Sequence, residues 1–146
     1  MHEYMSMEER LQNILVQIKT LEAYFNDLTL REASIIRLIE EGRLASDALR
    51  GLGSNNLNTF VPIGMGVYVQ SSINSDAKFL INIGAGISIE KDREYAISFI
   101  DNRLRELESA LNNISMQKRD IEAKLEQARR EANELIISIQ KQQGKV

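Results

Sequence analysis

Apolar residues recur along both flanks of this chain at alternating steps of three and four residues. This is the heptad spacing that lets one helix wind on another, so the sequence predicts two long helices, over residues 6–50 and 92–142. The N-terminal seam comprises Leu11, Ile14, Ile18, Leu21, Phe25, Leu28, Ile35, Ile39 and Leu49. The C-terminal seam comprises Ile97, Ile100, Leu104, Leu107, Leu111, Ile114, Lys118, Ile121, Leu125, Ala128, Ala132, Leu135 and Ile139.

Residues at the predicted helix boundaries have capping preferences. Ser6 and Glu9 fit a capping box, in which the hydroxyl accepts a hydrogen bond from the N–H three residues on. Asp92 suits the N-cap of the second helix. Gly51 and Gly53 are expected to end the first helix, because glycine readily adopts the left-handed conformation of a C-terminal cap.

Polar or small residues interrupt both seams. Glu32, Gly42 and Ser46 fall on the first seam, where packing should loosen, and Lys118 falls on the second. If the chain reverses between the helices, Glu32 and Lys118 lie in neighbouring layers. They then either meet and fix the register of the helices or extend their stems to solvent.

The central residues 57–90 alternate in the manner of β-strands and contain a repeat. Residues 63–70 read IGMGVYVQ, and residues 83–90 read IGAGISIE. Glycines at tight reversals between β-branched residues predict two hairpins. Residues 74–76 form the turn that links them, and Pro62 should occupy an edge or a bulge.

The two predicted hairpins form a platform of about 30 residues, too small to be stable in water by itself. Its strands present unpaired edges, which seek partners. Pairing with the same region of other subunits would close a shared sheet or barrel. The sequence therefore favours an oligomer over a monomer.

The outer helix ends are more apolar than a two-helix seam requires. Apolar residues cluster there at Met1, Tyr4, Met5, Met7, Leu135, Ile136, Ile137 and Ile139. Methionine adapts to varied apolar partners, so one interpretation is an adaptable binding surface. The alternative is that these residues close the coiled coil or fray.

Motifs for catalysis or cofactor binding are missing. The chain has no cysteine, which excludes disulfides and thiolate chemistry, and its one histidine, His2, suits a terminal residue better than a metal ligand. The two GxG turns lack the third glycine of a dinucleotide-binding loop, since Val69 and Ile89 stand in its place. We expect neither an enzyme nor a cofactor.

Charge and hydropathy exclude further classes. The net charge is −3, with acidic and basic residues interspersed along both flanks, and no basic block points to nucleic acid or an anionic membrane. No apolar run is long enough to span a bilayer, and the N-terminus lacks the pattern of a secretory signal. The expected location is the cytoplasm.

This order of elements resembles the prefoldin family, also called GimC, across nearly the whole chain. The most specific match is the stretch VPIGMGVYV at 61–69, followed by IGAG at 83–86 and IEKD at 89–92. Two hairpins are typical of the alpha class of archaeal-type subunits, whereas beta-class subunits carry one.

The resemblance implies an α+β fold: a long antiparallel two-helix coiled coil with two central β-hairpins that join an intersubunit β-barrel, in a single prefoldin-like domain over 1–146. It also implies a hexamer of two alpha and four beta subunits. The residues expected to form the assembly strands are Phe60, Ile63, Val67, Val69, Ile73, Phe79, Ile81, Ile83, Ile87 and Ile89.

The resemblance further implies an ATP-independent holdase that binds unfolded proteins at the coiled-coil tips and passes them to a group II chaperonin. The residues expected at the client-binding tips are Met5, Met7, Leu11, Leu15, Leu135, Ile136 and Ile137. The alternative is a structural scaffold or tether that oligomerises through its hairpins.

Overall fold

The structure, a computed structural model, describes residues 6–53 and 55–144. Its elements follow one another in the order α1 (Met7–Leu52), β1 (Leu57–Gly64), β2 (Val67–Ile73), β3 (Phe79–Gly84), β4 (Ile87–Lys91) and α2 (Arg93–Gln143). Strands β1 and β2 pair antiparallel, and so do β3 and β4. The described residues form two separate two-stranded sheets. The predicted α+β fold of two long helices and two small hairpins is confirmed.

The two hairpins reverse at equivalent positions, as the repeat predicts. Met65 and Gly66 have φ values of 54° and 80°, and Ala85 and Gly86 have values of 53° and 74°. Two successive residues with positive φ make the reversal that matches the twist of the flanking strands. Glycine tolerates this conformation, whereas Met65 and Ala85 hold it at a steric cost.

The predicted turn, bulge and caps are present. The pairing register of β1 and β2 shifts between Pro62 and Gly64, which is the predicted bulge. The backbone N–H of Ala77 donates to the carbonyl of Asn74 at 3.0 Å, which closes the turn between the hairpins.

Both helices begin at the predicted caps. The N–H of Glu9 donates to Ser6 Oγ at 3.1 Å, and the N–H of Tyr95 donates to Asp92 Oδ1 at 2.9 Å. Helix α1 continues through Gly51 to Leu52, and Gly53, with φ of 61°, supplies the left-handed residue at its end.

The chain divides into two compact units, the first made of the described residues of Met1–Ile35 and Ala110–Val146 and the second of Ile36–Ser109. In the first unit the seam residues of both helices pack together, as the heptad pattern predicts. Its buried core comprises Ile18, Leu28, Ile114, Ile121, Leu125, Ala128 and Ala132. Leu11, Ile14, Leu21, Phe25 and Ile35 pack against that core and are partly buried.

A charged pair lies within the first unit's seam. Lys118 Nζ is 3.1 Å from Glu32 Oε1, and about four-fifths of each side chain is covered. The same ammonium lies 4.8 Å from the centroid of the Phe25 ring, a cation–π distance. Of the two alternatives left open by the sequence, the ion pair is therefore the correct one.

At Gly42 in the second unit, the expected loosening takes the form of a cleft that this residue lines with Leu38, Ala45 and Leu107, beside a close contact with Leu104. A Cβ atom placed on Gly42 would lie 2.7 Å from Leu104 Cδ2 and 3.3 Å from its Cγ. The leucine occupies the space that a side chain at this seam position would fill. The glycine therefore permits close packing of the two helices.

A polar cluster replaces apolar packing at Ser46. This residue is buried, and its hydroxyl donates to Asp101 Oδ1 at 3.2 Å. Arg50 donates to the same serine at 3.4 Å and contacts Asp101 Oδ2 at 2.8 Å. The buried hydroxyl is thus satisfied, which removes the cost of placing a polar group in a seam.

Candidate functional site

The helix ends of the first unit expose part of the apolar set that the sequence singled out. Leu15, Ile136 and Ile137 are exposed, Met7 and Leu11 are half-buried, and Leu135 is buried in the seam. Met5 lies outside the described residues. The six described residues therefore divide into a seam layer and an outer surface.

Heptad position explains this division. Leu11 and Leu135 occupy seam positions, whereas Leu15 and Ile136 lie beside the seam and Ile137 lies further out. Val16, which the sequence analysis did not single out, is exposed beside Leu15. It could have been found from its position, because an apolar residue on the outer face of a solvated helix has no seam to fill.

We call the four exposed residues the end patch. Their exposed fractions are 40% for Leu15, 63% for Val16, 39% for Ile136 and 44% for Ile137. Along the same pair of helices, Arg129 Nη2 lies 3.0 Å from Glu22 Oε1. Glu22 follows Leu15 by one heptad, and Arg129 precedes Ile136 by one heptad, so charged side chains replace the apolar ones at the next repeat.

The hairpins of the second unit also expose apolar side chains. Of the ten predicted assembly residues, the exposed ones are Phe60, Ile63, Val67, Val69, Ile83 and Ile87. Ile73, Phe79 and Ile89 are half-buried. Ile81 differs from the others because it is 8% exposed and packs within its own chain.

Further exposed apolar residues on the hairpins were not in the predicted set. They are Val61, Met65, Tyr68 and Leu80. Tyr68 and Leu80 lie on the faces opposite those of Val69 and Ile81, since successive strand residues point to opposite faces. For the three in the first hairpin, the signal that could have found them is the apolar character of both alternating sets of residues.

The first hairpin also lacks charge. Residues 51–75 contain no charged side chain, although charged residues make up 27% of the chain. Edge strands of soluble proteins commonly carry charges that prevent unwanted pairing. This hairpin therefore has the character of a surface that another protein covers.

Other kinds of site find no support in the described residues. Residues 6–53 and 55–144 contain no group of three acidic, histidine or cysteine side chains that could hold a metal ion. Neither described helix has a stretch long and apolar enough to cross a membrane. The candidate sites are thus the end patch and the hairpin surfaces.

Comparison with known proteins gives a consistent result. A family model described as prefoldin subunit matches residues 7–138. A prefoldin subunit alpha from Nitrosopumilus maritimus (strain SCM1) is 36% identical over 134 residues, which cover 91% of this chain and 92% of that protein. Prefoldin subunit alpha from Methanospirillum hungatei is 29% identical over 132 residues, covering 80% of this chain and 88% of that protein.

A solved structure was also matched. A chain in the cryo-EM structure of filamentous PFD from Methanocaldococcus jannaschii is 22% identical, with a TM-score of 0.46 over 82% of this chain and 95% of that chain. The family model and the relatives are sufficient by themselves, since the match spans both helices and both hairpins. The chain belongs to the prefoldin family, as a member of its alpha class.

Proposed function

We propose that this chain is the alpha-type subunit of an ATP-independent holdase of the cytoplasm, which captures unfolded proteins at its helix ends and delivers them to a group II chaperonin. The observation that carries the proposal is the end patch, where four exposed aliphatic side chains lie near the helix ends, one heptad from an ion pair on the same helices. Membership of the prefoldin family supports a chaperone-type role.

The physics of such a function suits a small patch. A holdase needs apolar surface that does not drive its own aggregation, and contiguous patches below a few hundred Å² satisfy this requirement. A small patch binds weakly by itself. Several patches on one assembly can hold the same client strongly, because each further contact forms at a high effective concentration.

We propose that the hairpins assemble two alpha with four beta subunits through a shared β-barrel. Six of the ten predicted assembly residues are exposed in the single chain, three are half-buried, and Ile81 is buried. The absence of charge over residues 51–75 also supports burial in an assembly. Ile81 packs within its own chain and would position β3 for this contact.

A structural scaffold or tether is the second candidate. It is favoured by the ion pairs that join the helices in each unit, such as Glu22 with Arg129 and Arg43 with Glu108. A scaffold needs those helices and the hairpins. It has no use for the exposed side chains of the end patch.

The deciding experiment measures suppression of aggregation of a denatured protein, without ATP, by this chain assembled with a prefoldin beta subunit. We expect the wild type to suppress aggregation and the triple variant Leu15→Ser, Ile136→Ser and Ile137→Ser to do so far less well. The matched control is Leu30→Ser, since Leu30 is exposed on the same helix outside the end patch. A wild-type assembly that leaves aggregation unchanged would favour the scaffold.

Assembly is tested separately by native mass spectrometry of the chain alone and after mixing with the beta subunit. The proposal requires a hexamer of two alpha and four beta subunits in the mixture. A monomer or simple dimer in both samples would contradict the shared barrel.

A further inference from the structure

We infer that one flank of the first unit takes the client, and that the client contributes a short, extended apolar run there. The flank is the one that carries Leu15 and Ile136. This inference rests on the proposed holdase function and specifies which side of the helix pair binds and how long a segment it accepts.

The ion pair of the first unit identifies this flank. Glu22 and Arg129 are 3.0 Å apart and line a shallow cleft together with Phe25 and Leu125. Residues one heptad apart return to the same side of a coiled-coil helix. One heptad before Glu22 and one heptad after Arg129, the same flank therefore carries Leu15 and Ile136, two of the four members of the end patch.

The opposite flank is polar. A second cleft of the first unit is lined by Gln17, Lys124, Gln127, Ala128 and Glu131. Apart from Ala128, which belongs to the buried core, these residues carry amide or charged groups. Gln17 directly follows Val16, and Ser138 directly follows Ile137, so the surface changes from apolar to polar within one residue on each helix.

The length of the apolar surface is limited. The heptad that separates Leu15 from Glu22 spans about 10 Å of helix, at 1.5 Å per residue. An extended chain advances about 3.3 Å per residue, so this distance holds about three or four client residues before the ion pair. A longer apolar run would have to cross charged groups.

The area excludes a second copy of the chain as the occupant. An aliphatic side chain offers on the order of 100 Å², so four of them that are about half exposed offer roughly 200 Å². A stable protein–protein interface needs about 800 Å² from each partner. The end patch suits a weak contact with a short unfolded segment, repeated on other subunits of the assembly.

The test is site-specific photo-crosslinking in the full chain assembled with its beta partner. A photoreactive phenylalanine derivative replaces Leu15, Gln17, Ile136 or Ser138 in four separate variants, which form two pairs that differ in flank. The probe is an unstructured Gly/Ser-rich polypeptide with a single run of four leucines. We expect crosslinks at positions 15 and 136 at least about tenfold stronger than at 17 and 138.

A second variant changes the flank without changing composition. Leu15→Gln and Ile136→Ser are combined with Gln17→Leu and Ser138→Ile, which moves the apolar pair to the polar flank. We expect binding of the leucine probe to weaken about tenfold, with helix content and native mass unchanged.

The outcomes separate this inference from the proposed function. Equal crosslinking within each pair, or full binding by the swapped variant, overturns the one-sided site while leaving a holdase. Absence of crosslinks at all four positions also overturns it. In that case the aggregation assay decides whether the holdase function itself survives.

Discussion

At the scale of single residues, Glu32 and Lys118 show what a charge costs inside a seam. Each side chain is largely covered, and the pair is completed by the Phe25 ring. The attraction between two such charges is offset by the water that both lose, so the pair contributes little net stability while a lone charge there is costly.

We predict that Glu32→Ala lowers the free energy of unfolding by about 1–2 kcal/mol, because it leaves the Lys118 ammonium without its partner. Replacing both residues with leucine should restore or exceed the wild-type value. Chemical denaturation of the assembled protein, followed by circular dichroism, measures the difference. Glu22→Ala is the control, since its more exposed pair contributes about 0–1 kcal/mol, and an equal loss in both variants would contradict the argument.

The glycines of α1 give a second prediction. Alanine is favoured over glycine within a helix by about 1 kcal/mol. At Gly51 a Cβ meets no atom within 4 Å, whereas at Gly42 it meets Leu104 at 2.7 Å. We expect Gly51→Ala to raise the free energy of unfolding by up to about 1 kcal/mol, and Gly42→Ala to cost about 1 kcal/mol, since overpacking outweighs the helix preference.

Thermal unfolding of the two glycine variants side by side checks this difference. Both replace a glycine of the same helix, but Gly51 lies in the last turn, where the preference for alanine is smaller. A loss of stability in Gly42→Ala therefore reports the Leu104 contact. Equal stabilisation by both substitutions would mean that the leucine moves aside at no cost.

At the scale of elements, the two hairpins differ although their sequences repeat. On the first, Phe60 pairs with Gln70 and Pro62 with Tyr68, which places two aromatic rings and a proline on one face. On the second, the corresponding face pairs Leu80 with Glu90 and polar residues follow. Val61 and Val69 make the other face of the first hairpin apolar as well. Both faces of this hairpin are therefore suited to burial against another protein.

We therefore predict that Phe60→Ser combined with Tyr68→Ser prevents assembly with the beta subunit. Both aromatic side chains are exposed in the single chain, and the variant lacks the apolar area that they would bury in the complex. Native mass spectrometry measures the hexamer fraction, and circular dichroism should show unchanged helix content. Asn82→Ser on the second hairpin is the matched control, since it changes a polar residue on the equivalent face. Full assembly of the aromatic variant would place the interface elsewhere.

The elements themselves could be predicted from the sequence because their periods are intrinsic. Alternating steps of three and four define a helix seam, and β-branched residues around GxG define a hairpin, whatever lies across from them. The fate of Ile81 could not be predicted in this way. Alternation assigns it to a face of β3, but only the fold determines that this face meets the helices.

The same limit applies to the seams and to the helix ends. The heptad pattern places Gly42 on the seam without revealing that Leu104 fills its space. It placed Leu135 among the apolar end residues without separating that buried side chain from the exposed Ile136 beside it. The filling of the space at Gly42 and the burial of Leu135 both depend on side chains of the other helix. The sequence of one helix alone does not specify which of those side chains lie opposite.

At the scale of the whole molecule, two sets of exposed apolar side chains, on the hairpins and in the end patch, have different requirements. The first hairpin exposes many apolar side chains and carries no charge, as a permanent interface requires. The end patch has four side chains and an ion pair one heptad away, as a reversible contact requires. If the end patches bind clients as proposed, the strength of binding comes from the number of patches in the assembly.

This argument predicts a nonlinear response when wild-type chains are mixed with the variant Leu15→Ser, Ile136→Ser and Ile137→Ser before assembly with the beta subunit. If patches act together on one client, losing one removes the gain in effective concentration from those that remain. The fraction of client bound, measured by fluorescence anisotropy, should fall more steeply than the wild-type fraction. The number of subunits in the assembly, measured by native mass spectrometry, must stay constant across the series, because the substitutions lie outside the hairpins. A decline in strict proportion would show that each chain binds its client independently.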